Sequence, residues 1–161
     1  GFDGRYEELD ALAVKAQGIK DQLLAAVDED TQAFNGVMEA LRMPKDTAVQ
    51  KTARSEAIQS GYKRATEIPM QTARQCRGAL ELCLMAARSG NDVMITDAGV
   101  GALVSLAGVK GAAYNARINL KSIKDADYVR RAGDEIARLV DESRKIADLV
   151  DHEVERVMKG S

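Results

Sequence analysis

The chain has 161 residues, 45% hydrophobic and 30% charged, with a formal net charge of −2 at pH 7. That size and balance suit one globular domain with a buried core, and exclude a disordered chain or the basic face expected of a nucleic-acid binder. Uninterrupted apolar runs fall short of the roughly 20 residues that cross a bilayer, so no membrane partner is expected.

Only 4% of the residues are aromatic, there is no Trp, and there are two prolines. Such a chain, rich in strong helix formers, predicts an all-α fold. The first helix is expected from about Asp3 to Leu41. Its apolar stripe runs Leu9, Leu12, Ala16, Ile19, Leu23, Val27, Phe34, Val37 and Leu41, in steps of three and four. Asp30 interrupts that stripe. A carboxylate on a face that should be buried is neutralised, paired or open to a cleft, unless a small rotation of the helix exposes it.

Pro44 ends the first helix, and Thr47 or Asp46 caps the second. Arg42, Lys45, Lys51 and Arg54 cluster around this turn, as a solvated basic turn or as an anion site. The second helix is expected to reach about Ser89, carrying Ala65, Ile68, Thr72, Cys76, Ala79, Cys83 and Ala86 on one side. Pro69 should kink or break it. Cys76 and Cys83 lie about 10 Å apart along a helix, too far for a mutual disulfide, and read as small core residues. Gly90 and Asn91 form a helix stop.

The third helix is expected over about Thr96–Asn119. Gly99, Gly101, Gly108 and Gly111 weaken it by roughly 1 kcal/mol each relative to Ala, so close approach of a helix or a flat ligand must compensate. Asp97, Asn115 and Asn119 share a stripe with Gly101, Val104 and Gly108. Asp97 and Asn119 are roughly 33 Å apart on a continuous helix, so they serve different parts of a long ligand or sites completed by different chains. No strand precedes these glycines and no phosphate-loop pattern matches, which excludes nucleotide binding. The fourth helix follows "KDAD" with Ile136, Leu139, Ser143, Ile146, Val150, Val154 and Val157 inward. A lone His152 rules out a multi-His metal site within the chain. Long helices on short connections predict an antiparallel up-and-down helical bundle.

Four segments, "DEDTQAFNGVMEALRMPK", "ARSEAIQSGYKRATEIP", "SGNDVMITDAGVGAL" and "GAAYNARINLKSIKD", resemble the cyclodeaminase/cyclohydrolase family in order and spacing along the whole chain. The resemblance implies an all-α bundle, usually dimeric, that binds tetrahydrofolate with its glutamate tail in a cleft. It implies cyclisation of 5-formiminotetrahydrofolate to 5,10-methenyltetrahydrofolate with loss of ammonia, or hydrolysis of the methenyl bridge to 10-formyltetrahydrofolate. The rival expectation is a non-catalytic helical assembly module, its glycines serving only subunit packing.

Under the resemblance, Asp30 and Asp97 are the catalytic candidates, Thr96-Asp97 standing where the family has Ser-Asp. Asn91, Asn115 and Asn119 are candidates for the pterin edge or the cleft, and Lys45 and Arg54 for the tail carboxylates. No metal or organic cofactor is expected beyond the tetrahydrofolate carrier. Expected partners are a second copy of the chain and a formimidoyltransferase domain or protein; the expected location is cytoplasmic. Family members begin with a further segment bearing a "PGGGS"-like turn, whereas this sequence opens at "GFDGRYEELD". The expectation is one cyclodeaminase-like helical domain over 1–161, either N-terminally incomplete or a shortened relative.

Overall fold

The computed structural model describes residues 2–89 and 92–160, with side chains from residue 7 onward. It contains helices α1 (Phe2–Arg42), α2 (Ala48–Arg88), α3 (Ile95–Leu120) and α4 (Ala126–Met158), with one 3-10 turn, Asp92–Met94, before α3. No strand occurs among the described residues. Gly90 and Asn91 lie outside them.

Local chemistry sets the helix ends. Thr47 caps α2 through a reciprocal box: its hydroxyl accepts from the Gln50 N–H at 3.2 Å, and the Gln50 side chain accepts from the Thr47 N–H at 3.0 Å. Arg54 donates from Nη2 to the Leu41 carbonyl at 3.0 Å, satisfying an orphan acceptor at the end of α1. Asp125 caps α4 by accepting from the Tyr128 N–H at 3.0 Å, and Lys63 of α2 pairs with it at 2.7 Å.

The bundle is antiparallel as expected, with α2 at its centre. α3 runs along one side of α2, α4 covers both, and α1 lies principally against α2 alone. Leu80, Val109, Ala116, Ile136 and Val150 are fully buried where α2, α3 and α4 meet. Arg74 of α2 pairs with Glu135 of α4 at 2.7 Å, and Arg77 with Glu142 at 3.0 Å, tying those two helices along their edge.

The inward face of α1 differs from the expected stripe. Ala33, Val37 and Ala40 are buried, whereas Val27 and Phe34 are 63% and 61% exposed. A helix resting on one neighbour buries a narrow strip, and small residues let it approach closely. Gly61 of α2 receives Val37 there, whose Cγ2 would lie 3.2 Å from an added Cβ. The α4 pattern is as expected, with Ile136, Leu139, Ser143 and Val150 buried.

Pro69 neither ends nor interrupts α2, which continues on both sides of it. The glycines of α3 have a packing cause at three positions. A Cβ on Gly108 would lie 2.7 Å from Cys76 Sγ, one on Gly101 2.9 Å from Cys83 Sγ, and one on Gly99 3.0 Å from Val154 Cγ2. Gly101 and Gly108 are thus the sockets in which α2 seats its two cysteines. At Gly111 an added Cβ would meet nothing within 4 Å.

The expectation about apolar length needs correction. Asp92–Leu120 is long and apolar enough, by length and composition, to cross a membrane, and 22% of its apolar window is buried. Counting uninterrupted runs missed it because single polar residues punctuate an Ala-, Val- and Gly-rich helix. Val100, Leu103, Val104, Tyr114 and Ile118 are exposed along it.

Gly108→Ala should destabilise the chain by about 1–2 kcal/mol, overpacking outweighing the helix-propensity gain. In a Cys76→Ala background the same change should become neutral or favourable, which a double-mutant cycle by urea denaturation would measure. Lys63, followed by the Tyr128 N–H, holds the Asp125 carboxyl below the usual carboxylate range. A depressed folded pKa contributes stability above the unfolded value, lost as pH falls through the folded value. Asp125→Asn keeps the cap, so its melting-temperature deficit at pH 7 should shrink below about pH 4 and vanish in stronger acid.

Candidate functional site

A pocket of about 210 Å³ opens where α1, α2 and α3 meet, lined by Leu23, Val27 and Asp30 of α1, Pro69 and Thr72 of α2, and Asn115 of α3. Two sequence features place its polar groups. The strip through Ala26, Ala33 and Val37 faces α2, which leaves Asp30 one step around the helix, at the edge of the groove. The glycine sockets bring α3 close to α2, which carries Asn115 to the opposite rim. Asp30 has no ion-pair or hydrogen-bond partner among the described residues. The small rotation of α1 exposes it, so its carboxylate meets solvent at the groove edge.

Pro69 lines this pocket and leaves a mark on the backbone beside it. Having no N–H, it cannot donate to the carbonyl of Ala65, its normal helical acceptor. Asn119 Nδ2 donates to that carbonyl at 2.7 Å instead. The amide of α3 thus repairs the ladder of α2, allowing a proline inside an unbroken buried helix. The pairing was legible in principle, since Pro69 implies an orphan at Ala65. Which side chain would answer it, 54 residues away, was not.

The remaining sequence candidates are dispersed. Asp97 is exposed in the first turn of α3, roughly 27 Å along the helix from Asn115. Lys45 is exposed in the α1–α2 turn and Arg54 is engaged with the Leu41 carbonyl. Both lie roughly 20 Å along their helices from the pocket. Asn91 lies outside the described residues. The structure therefore joins Asp30 with Asn115, assigns the Asn119 amide to the backbone, and keeps Asp97, Lys45 and Arg54 at the two ends. Thr72 and Pro69 are pocket residues that periodicity did not single out, because Thr72 read as part of the packing face and Pro69 as a helix breaker.

A second hollow of about 210 Å³ lies between α1 and α2, sharing Leu23, Ala26 and Thr72 and adding Gln22, Glu29, Gln71 and Gln75. Burial pushes both the Cys76 and Cys83 thiols up, away from nucleophilic thiolate. No group of three or more His, Cys, Asp or Glu with metal-binding potential occurs among the described residues. What the pocket offers is an apolar wall, one unpaired carboxylate and one amide. A carboxylate in such a set can accept a proton or attract a cation.

Residues 1–138 match the family model described as Formiminotransferase-cyclodeaminase. The chain is 34% identical over 143 residues to methenyltetrahydrofolate cyclohydrolase of Methylorubrum extorquens, covering 86% of this chain and 69% of that protein. It is 33% identical over 150 residues to formimidoyltransferase-cyclodeaminase of Gallus gallus, covering 91% of this chain but 28% of that one. In fold it resembles formiminotetrahydrofolate cyclodeaminase from Thermotoga maritima, with a TM-score of 0.77 at 20% identity, covering 88% of this chain and 67% of that chain.

Asn119→Ala should cost about 1–3 kcal/mol by stranding the Ala65 carbonyl. In a Pro69→Ala background, which restores the backbone donor, the cost should fall to a few tenths. Equilibrium unfolding of the four chains checks this coupling.

Proposed function

Because this chain belongs to the formiminotransferase-cyclodeaminase family, whose members are folate one-carbon enzymes, we propose that its pocket binds a tetrahydrofolate derivative and that Asp30 carries the proton there. The observation that carries this reading is the unpaired Asp30 carboxylate set against Asn115 in an apolar pocket. A carboxylate can relay a proton and also balance the positive charge of an amidinium.

The first reading of the reaction is hydrolysis of 5,10-methenyltetrahydrofolate. Water adds to the carbon bridging N5 and N10, giving a proton to Asp30. The bond from that carbon to N5 then breaks as N5 takes that proton from Asp30 and the new hydroxyl gives its own proton to solvent, leaving the formyl group on N10. The Asn115 amide orients the water or the pterin edge. Support for this choice comes from the cyclohydrolase of M. extorquens, which aligns over 69% of its own length.

The second reading is favoured by the names of the chicken and T. maritima proteins. There N10 attacks the carbon of the formimino group carried on N5, which enters protonated as an amidinium. The N10 proton passes by way of Asp30 to the leaving nitrogen, and ammonia departs as the methenyl bridge forms. Under either reading Lys45 is the tail-facing cation, since its ammonium is exposed at one end of the bundle. A formimidoyltransferase domain or protein would supply the substrate of the second reaction.

Purified chain should remove the absorbance of methenyltetrahydrofolate under the first reading, or generate it from formiminotetrahydrofolate under the second. Turnover of neither substrate overturns the proposal. Asp30→Asn should lower kcat about 10²–10⁴-fold with little change in KM, measured on the active substrate.

A further inference from the structure

The strip along which α1 rests on α2 has a hollow on each side. Around α1 from Ala26, at about 100° per residue, Asp30, Leu23 and Val27 fall about 40°, 60° and 100° to one side. Gln22, Glu29 and Ala25 fall about 40°, 60° and 100° to the other. The first set lines the Asp30–Asn115 pocket, and the second lines the neighbouring hollow. On α2 the divide runs through Thr72, with Pro69 about 60° to one side and Gln75 and Gln71 about 60° and 100° to the other. Leu23, Ala26 and Thr72 line both spaces, so these three side chains are the partition between them.

The two spaces differ in chemistry. Leu23, Val27, Ile68 and Pro69 give the pocket an apolar wall that suits a ring. The hollow is lined instead by the amides of Gln22, Gln71 and Gln75 and the carboxylate of Glu29. Amides donate and accept hydrogen bonds and a carboxylate accepts them, so this lining suits water or ammonium rather than a ring. Thr72 stands between the two with its one hydroxyl proton already committed, donated to the Ile68 carbonyl at 3.2 Å. Its oxygen can then only accept from a neighbour, as an aspartate carboxylate does. The pocket therefore holds two acceptor-only groups, Asp30 and Thr72.

Both reactions considered for the pocket handle one small molecule with at least two hydrogens to donate: water consumed in hydrolysis, or ammonia released in cyclisation. We infer that this molecule passes through the second hollow, and that Thr72 accepts a hydrogen bond from it while Asp30 exchanges a proton with it. This rests on the reading of the pocket as the folate site. A ring seated there covers the mouth it entered by, and the wall behind it is thin, with only a methyl group on Ala26. In hydrolysis Thr72 holds one O–H of the attacking water as Asp30 removes the other proton, which turns the oxygen lone pair toward the bridge carbon. In cyclisation Thr72 holds one N–H of the departing nitrogen. That nitrogen receives the N10 proton by way of Asp30, and ammonia leaves toward Gln75 and Glu29. Thr72 neither gains nor loses a proton in either reaction.

Steady-state kinetics on the substrate that the chain turns over tests the acceptor. Thr72→Val keeps the branched shape and deletes the oxygen. Its kcat should fall about 10-fold, the worth of one hydrogen bond at the reacting group, with KM for the folate unchanged. Thr72→Ser keeps an oxygen whose proton can again go to the Ile68 carbonyl, and should restore most of the rate. A hydroxyl that only braces α2 would lower the melting temperature of Thr72→Val and leave kcat alone. Wild-type kcat in Thr72→Val therefore overturns the role of Thr72.

Filling the hollow tests the port. Ala25 is exposed and lines the second hollow but not the pocket, so Ala25→Phe obstructs the first without entering the second. Its kcat should fall several-fold while the dissociation constant of tetrahydrofolate, read by calorimetry, stays at the wild-type value. Gln75→Leu, similar in size but without hydrogen-bonding groups, should lower kcat in the same sense. Wild-type kcat in both variants overturns the port, as does a loss of folate binding that accounts for the loss of rate. These results leave the folate reading intact, since the wild type is active in them. A wild-type chain inert on both substrates removes that reading and this inference together.

Discussion

Close seating of α3 on α2 is the contact on which the rest of the molecule depends. It rests on two cysteine side chains entering two glycine sockets, Cys76 at Gly108 and Cys83 at Gly101. Helix propensity alone argues against glycine at both places, by roughly 1 kcal/mol each. Packing reverses that preference, since any larger residue would push the helices apart. With α3 held close, the Asn119 amide reaches the backbone of α2 and Asn115 reaches the groove rim.

That closeness also explains how a proline can line a pocket in the middle of a long buried helix. Pro69 removes one donor from the ladder of α2, and Asn119 returns one from the neighbouring helix. The exchange gives the pocket wall a rigid apolar ring without leaving a buried carbonyl unsatisfied. Asn119 therefore serves structure, even though it shares a stripe with residues of the candidate site.

α1 contributes differently. It rests on α2 through Ala33, Val37 and Ala40, and is not enclosed by the other helices. One side of it remains open, which makes room for a groove and leaves Asp30 unpaired. The same openness leaves Val27 and Phe34 bare beside the bare face of α3. Pocket and apolar surface are thus two consequences of one arrangement: a three-helix core with a fourth helix leaning on its central member.

The sequence by itself determined the helices, their order and their ends. Thr47 and Gln50, the Pro44 turn and the apolar steps of α4 act over a few residues, so local spacing reveals them. It also marked Asp30 and the glycines as exceptions to their patterns, and the residues of four segments carried the family resemblance. Local spacing could not decide the rotation of α1 about its axis, because Val27 and Ala26 are equally good inward residues until the number of neighbouring helices is known. Nor could it separate Asn115 from Asn119, which lie on one stripe four residues apart. Only the tertiary structure did so, by placing an orphaned carbonyl opposite one amide and an open pocket opposite the other. That choice depends on the depth to which α3 sinks onto α2, a distance no single helix encodes.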